Sequence, residues 1–498
     1  MEVGTIVSLS GYFLLMLGIG VYSYRAASEG SSGYLLGGRQ MGPAVTALSA
    51  GASDMSGWMV MGLPGAMYLS GLSNSWIAVG LIAGAYLNYL IVAPRLRVYT
   101  ELANDSITLP EFFENRFEDK TRLLRIVSSI VIIIFFTVYT SSGVVGGGKL
   151  FESSFGLSYE LGLYVTAGVV VIYMLFGGFL AVSLTDFVQG CIMFVALVLV
   201  PMVIIFDFGG YTSISDTMTQ LSPSHLDIFA GATVLGIISS LAWGLGYFGQ
   251  PHIIVRFMAI RSIKDLKVAR RIGMSWMIVA LIGAMATGFF GYAYAEKNNL
   301  TIGDAETIFI VLSQTLFHPL VGGFMLAAIL AAIMSTVSSQ LLVTSSSLTE
   351  DVYKVFFNKE ASDQHLVSVG RICVVLVALV SIALAQDKDS SILSIVANAW
   401  AGFGAAFGPL IVLGLYWKRM TFLGAFAGIV VGTVTVLIWI YAPLTINGES
   451  LGSFMYEIVP GVLLSSIAIV VVSLLDKQPS HSMQDMFDRM LVKLNQPS

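Results

Sequence analysis

Charge is what this chain has least of. Asp, Glu, Lys and Arg make up 11% of its 498 residues, less than half the quarter usual in soluble domains, which excludes an ordinary water-soluble domain. Cysteine is scarce too: Cys191 and Cys373 both fall inside apolar runs, which argues against a disulfide framework or a thiolate metal cluster. The five histidines form neither a zinc-protease motif nor a Cys/His cluster. No phosphate-binding loop is present, because the run Gly143-Val144-Val145-Gly146-Gly147-Gly148 lacks the Lys-Ser/Thr that should follow and the strand that should precede. Nor is there a polar stretch long enough for a catalytic or sensory domain. The tail after Asp476 is short and weakly amphipathic around Met483-Gln484-Asp485-Met486-Phe487.

Hydrophobic runs fill the rest. Hydrophobic residues reach 56%, and about 20 apolar residues cross a hydrocarbon core of about 30 Å. Thirteen runs qualify: 5–23, 42–71, 75–94, 124–148, 159–180, 187–206, 231–254, 273–295, 318–347, 370–386, 391–416, 422–442 and 455–474. The expected class is therefore an all-α polytopic membrane protein with 13 transmembrane helices. In that layout all but Lys149, Lys297 and Lys388 of the 25 Lys and Arg lie in loops of one side. Cations gather on the cytoplasmic side, so the N-terminus is expected outside and the C-terminus inside. The first run has no basic residues before it and no obvious small-residue cleavage site, so it is expected to be a retained helix. In the loop at about 95–123, Thr108-Leu109-Pro110-Glu111-Phe112-Phe113 reads as a helix start, predicting a short helix along the inner surface.

Two runs are interrupted. Ala50-Gly51-Ala52-Ser53-Asp54-Met55-Ser56-Gly57-Trp58 breaks the second, and Trp243-Gly244-Leu245-Gly246-Tyr247-Phe248-Gly249-Gln250-Pro251 breaks the seventh. Each glycine lowers helix stability by about 1 kcal/mol relative to Ala. Breaks five spans apart suggest inverted five-helix repeats with a transport site near the midplane. Asp54 is the one acid placed deep in a span, with no span-interior Lys or Arg to pair it, so a functional role outweighs a structural one. Ser335 and Thr336, in Ala331-Ala332-Ile333-Met334-Ser335-Thr336-Val337-Ser338-Ser339, fit helix packing as well as ligation. Freed carbonyls plus hydroxyls would nonetheless suit a hard monovalent cation. Trp243, Tyr247 and Tyr139 could pack an aliphatic ring and attract an ammonium. Asp186 is expected at the mouth of a short inner loop, and His252 and Arg256 at an inner helix end.

The segment Leu48 through Trp58 resembles the second helix of the sodium:solute symporter family, particularly its bacterial sodium/proline branch. So do Gly177 through Gln189, Trp243 through His252, Ala331 through Gln340, and Trp400-Ala401-Gly402-Phe403-Gly404-Ala405, in family order across nearly the whole chain. The resemblance implies a 5+5 inverted-repeat (LeuT-like) transporter core with one extra N-terminal and two extra C-terminal helices. Its units would be an N-terminal helix and loop at 1–41, repeats at 42–206 and 231–416, and an outer loop at 207–230. Two final helices at 417–474 and a cytoplasmic tail at 475–498 would follow. It places a sodium site on the carbonyls of Ala52, Met55 and Ala332 and the hydroxyls of Ser335 and Thr336, with Asp54 close by. Ser56, Gly57, Tyr139, Trp243, Tyr247 and Pro251 match substrate positions, and Arg39 an arginine linked to ion coupling. Ser339 is one departure from the resemblance, standing where a proline transporter of that branch carries Cys. The implied activity is sodium-coupled import of L-proline, or of another small amino acid or compatible solute, without enzymatic chemistry or resident cofactor. A passive channel would not accumulate solute, and a sensor would need an effector domain that the tail cannot hold.

Overall fold

A bilayer offers backbone amides and carbonyls no water, so each apolar segment must satisfy its own as a helix. The computed structural model describes residues 2–26, 33, 36–446 and 448–496; part of the loop expected after the first span lies outside them. Ten helices among the described residues are long and apolar enough to cross a membrane, and two shorter apolar stretches, Tyr159–Leu175 and Val234–Gly249, accompany them. The chain is an all-α polytopic membrane protein whose one strand pair, among the described residues, is Thr445–Ile446 with Glu449–Ser450.

The first half contains α1 (Val3–Ala26), α2 (Pro43–Asp54), α3 (Leu63–Ser70), α4 (Ser75–Leu87) and α5 (Ala93–Leu102). Then come α6 (Leu109–Arg116), α7 (Leu123–Phe155), α8 (Tyr159–Asp207) and α9 (Tyr211–Leu221). The expected run 42–71 is not one rod: α2 stops at Asp54, and the chain re-enters a helix only through a wide π-helical turn, Trp58–Gly62. A second such turn, Asn88–Val92, joins α4 to α5. The runs 159–180 and 187–206 are the two limbs of α8, separated not by a loop but by a sharp break at Gly178 (φ 56°, ψ −146°), a backbone region open essentially to glycine alone. The helix start expected at Thr108 is present. Thr108 Oγ1 accepts from the Glu111 amide at 3.2 Å, and Glu111 Oε2 accepts from the Ile107 amide at 2.9 Å, a reciprocal cap.

The second half contains α10 (Val234–Leu241), α11 (Pro251–Ala259), α12 (Ile263–Lys297), α13 (Ile308–Thr315) and α14 (Pro319–Ser346). It continues through α15 (Asp363–Leu384), α16 (Ile392–Tyr416), α17 (Phe422–Tyr441), α18 (Ile458–Leu475) and α19 (His481–Asn495). The run 231–254 is also broken: a 3-10 segment, Ala242–Gly249, separates α10 from α11, and Gln250 is extended. That segment crosses α4 so closely that a Cβ on Gly84 would stand 2.1 Å from the Gly244 oxygen. Glycine is required there because the backbones touch. At the centre, α14 is buried along most of its length and packs on α1, α7 and α8. The weak pattern in the tail becomes α19, whose Met483, Phe487 and Met490 are buried one above another, the helical i, i+4, i+7 stripe.

Candidate functional site

The two breaks and the middle of α14 meet. Ser335 Oγ donates to the Ala52 carbonyl at 2.7 Å and lies 3.1 Å from the Ala332 carbonyl. Thr336 Oγ1 reaches the same two oxygens at 3.4 and 3.3 Å. Four oxygens from two helices are thus gathered in a buried spot without a charged group among them. Met55 supplies the edge of the break. Its amide still closes onto the Gly51 carbonyl at 2.9 Å, but the Met59 amide turns to the Ser56 carbonyl at 3.0 Å. The Met55 carbonyl is thereby released from the regular ladder, the state in which a carbonyl can serve an ion.

Asp54 points elsewhere. It is buried, and one carboxylate oxygen accepts the Tyr247 hydroxyl while the other has no protein partner. Its main-chain oxygen accepts from the Trp58 indole at 2.9 Å and from the Ser56 amide at 2.9 Å, which pins the break. Ser56 is buried there, and a Cβ on Gly57 would meet Ile333 of α14 at 3.5 Å.

Trp243 and Tyr247 would share a face on an α-helix. On the 3-10 segment they do not, because three residues complete a turn and positions four apart diverge by about 120°. Tyr247 turns to Asp54 and sets its ring edge-on to Trp400, centroids 5.1 Å apart. Trp243 stacks on Tyr456 at 5.3 Å and lies 6.4 Å from Trp58 and 6.5 Å from Trp400. The Trp400 indole donates to the Trp243 carbonyl at 2.8 Å and ties both aromatics to α16. Pro251 begins α11, and the next residue, His252, lies edge-on to the buried Tyr139 at 5.9 Å. Sequence reasoning did not single out Trp400 or Tyr456 as parts of this cluster; an aromatic among small residues, as in Ala399-Trp400-Ala401-Gly402, was the available signal.

Two expectations about charge are corrected. Asp54 is not the only deep acid. Because α8 resumes at Gly178, Asp186 lies about 12 Å along the second limb and is completely buried rather than at a loop mouth. Arg256 is completely buried as well, not interfacial, and its Nη2 donates to Asp186 at 3.1 Å. The pair is closed by Ser49 and Ser339. Ser49 Oγ donates to Asp186 at 2.7 Å and accepts from Arg256 Nε at 3.0 Å, and Ser339 Oγ accepts from Arg256 Nη2 at 2.6 Å. The hydroxyl at the position that departs from Cys therefore receives a charge-assisted hydrogen bond.

Arg39 stands apart from both groups, at the end of the molecule where α5 and α11 finish. Its Nε donates to Asp105 at 2.9 Å, Nη1 to Thr100 Oγ1 at 3.2 Å and to the Met258 carbonyl at 2.7 Å, and Nη2 to the Ser106 carbonyl at 2.8 Å. Burial pulls its guanidinium below the usual arginine value, against the pull of Asp105. Met41, just before α2, bridges Ile260 just after α11. Arg39 therefore fastens together the chain ends leading into the two broken helices.

The sodium:solute symporter family matches residues 34–432. The chain is 57% identical over 487 residues to the osmoregulated proline transporter OpuE of Bacillus subtilis (strain 168), covering 98% of each. It is 56% identical to the high-affinity proline transporter PutP of the same organism, covering 95% of this chain and 98% of that one. With the sodium/proline symporter of Staphylococcus aureus (strain NCTC 8325 / PS 47) identity is 55%, over 95% of this chain and 93% of the relative. Among solved structures, a Na+-coupled sialic acid symporter in a substrate-bound outward-open state superposes with a TM-score of 0.81 at 22% identity, covering 96% and 99% of the two chains. A nucleobase-cation-symport-1 family transporter in a closed conformation gives a TM-score of 0.56 at 12% identity, over 91% and 98%. These two likenesses establish the fold.

Proposed function

This chain belongs to the sodium:solute symporter family, and from that membership we propose that it imports L-proline into a bacterial cell, driven by sodium and by alternating access. It is a transporter and not an enzyme. The observation that carries the mechanism is the meeting of the Ala52 and Ala332 carbonyls with the Ser335 and Thr336 hydroxyls beside the broken α2. A sodium ion is a substrate of this site, with Met55 adding a fifth oxygen. An ion held between α2 and α14 favours one arrangement of those helices over another, which is the differential affinity that coupling demands.

The solute site lies alongside. Ser56 and Gly57 offer backbone groups freed by the break, while Trp243, Tyr247, Tyr139 and Pro251 surround an aliphatic ring and its ammonium. Asp54 links the two sites, since it sits between Ala52 and Met55 and holds Tyr247. Arg39 couples movement of one broken helix to the other at the cytoplasmic end. Support for repeats at 42–206 and 231–416 within a 13-helix chain comes from their matching layout. Each has a break near its start, and each has a short helix (α6 or α13) just before a long one (α7 or α14). The positive-inside pattern orients the N-terminus outside and the C-terminus in the cytoplasm.

One charge moving through 100 mV is worth about 2.3 kcal/mol, or roughly 50-fold accumulation at 1.36 kcal/mol per decade. Radiolabelled proline uptake into proteoliposomes, with and without an imposed sodium gradient, tests the reading. Accumulation only with the gradient is expected. Equal uptake without it would indicate a passive pathway, and accumulation of a different small amino acid or compatible solute in place of proline would change the substrate.

A further inference from the structure

Beside Asp54, on the side of Tyr247, α2, the π-helical turn at Asn88 and α12 line a small cavity of about 30 Å³, room for a water molecule or two. Its polar lining is Asp54, Asn88, Tyr89 and Tyr247; Met55, Met274 and Met277 are among its apolar walls. Neither Ser335 nor Thr336 lines it, so the cavity is separate from the gathered oxygens. Two polar groups in it are buried and have no protein partner: the second carboxylate oxygen of Asp54, and both amide atoms of Asn88.

An unpaired amide inside a membrane protein is costly, by about 1–3 kcal/mol on mutational scales, so its presence requires something to bond. Asn88 is also the one amide side chain in the run 75–94 and the first residue of a π-helical turn, a local widening that recurs at functional sites. Tyr89, its neighbour, packs on Phe257 of α11 with centroids 4.9 Å apart. The turn is therefore wedged between the two broken helices.

We propose that Asn88 is a positioning residue for Asp54: its amide and the free Asp54 oxygen form one hydrated polar subsite, in which bridging water fixes the direction of the carboxylate. An amide suits that place because it both donates and accepts, so it can hold water against a carboxylate that only accepts. Small buried polar cavities with several polar partners are where water is held in proteins. The inference rests on the coupling role given to Asp54 above.

The test is sodium-dependent proline uptake in proteoliposomes, with a thermal melt of each purified variant. Asn88→Leu keeps approximate bulk but removes every polar atom, and should raise half-saturating sodium about tenfold, the effect of losing a hydrogen bond to a charged group. Asn88→Ser keeps one hydroxyl and should return to within threefold of the parent despite leaving the larger hole. A purely structural residue would reverse that order. Half-saturating sodium within twofold of the parent in folded Asn88→Leu overturns the proposal. Should that variant fail to fold, Asn88→Ala is compared with Asn88→Ser, and equal sodium dependence overturns it instead. Asp54→Asn, measured alongside, separates the two readings. If it transports normally, the coupling role of Asp54 falls and this proposal with it; if it is inactive while Asn88→Leu is unchanged, only the Asn88 proposal falls.

Discussion

Ser335→Ala removes one oxygen from the proposed sodium site and almost no volume. In the structure that oxygen is 2.7 Å from the Ala52 carbonyl and 3.1 Å from the Ala332 carbonyl, so the site is drawn together by its own hydrogen bond. A hard cation holds oxygens at roughly 2.3–2.6 Å, which spaces neighbouring ligands about 3.3–3.7 Å apart. Sodium binding would therefore rotate the hydroxyl hydrogen away and let Ser335 and Ala52 part by roughly 0.6–1 Å. In the variant that ligand is missing while the two carbonyls remain. An interaction with a charged partner is worth about 1.5–3 kcal/mol, and at 1.36 kcal/mol per decade half-saturating sodium should rise by roughly 10- to 150-fold. The folded state loses only a neutral hydrogen bond, about 1 kcal/mol net, a melting shift of about 1 °C for a chain of this size. Uptake of labelled proline across a sodium series, beside a melt of the same preparation, reads both quantities. A sodium requirement within twofold of the parent in a protein of normal melt would remove Ser335 from the site. A collapse of the melt would show that the hydroxyl serves packing.

Asp54→Asn keeps size and loses charge, and is expected to abolish sodium-driven uptake; full activity would make the carboxylate structural. Tyr247→Phe deletes the hydroxyl bound to Asp54 but leaves the ring on Trp400, so sodium dependence should weaken by about tenfold with the melt unchanged, whereas Tyr247→Ala should also weaken proline binding. Asp186→Asn or Arg256→Gln leaves a buried charge unpaired and should cost about 3–5 kcal/mol. The double variant should cost less than the sum, and additive losses in thermal melts would refute the pairing. Arg39→Lys keeps the charge but cannot reach all four acceptors of the guanidinium; maximal uptake should fall severalfold at unchanged sodium affinity, and an unchanged rate would end the fastening argument.

Membrane class and the placement of most helices were legible in the sequence, because a bilayer leaves an apolar run of sufficient length one way to satisfy its backbone. The breaks at Met55–Gly57 and Ala242–Gly249 were legible for the same local reason, since clustered glycine weakens a helix wherever it stands. The start of α6 was readable from Thr108, Pro110 and Glu111, whose capping chemistry acts within a single turn. Other features depend on which segments meet. Glycine at 178 could mark either a loop or a sharp break, and only the tertiary structure shows the second limb of α8 beginning there, which carries Asp186 into the interior. Arg256 looked interfacial because hydropathy cannot see a counter-ion on another helix; Asp186, Ser49 and Ser339 supply the compensation. The divergence of Trp243 and Tyr247 arose from a 3-10 segment pressed on Gly84 of α4, a contact between residues far apart in the chain. Asn88 gave no signal beyond being one amide in an apolar run, and it gained meaning from the cavity it shares with Asp54. Local chemistry fixes where this chain can be helical and where it must break, while the groupings of charges, hydroxyls and cavities from which the coupling is proposed are defined by distances between helices, which only the tertiary fold sets.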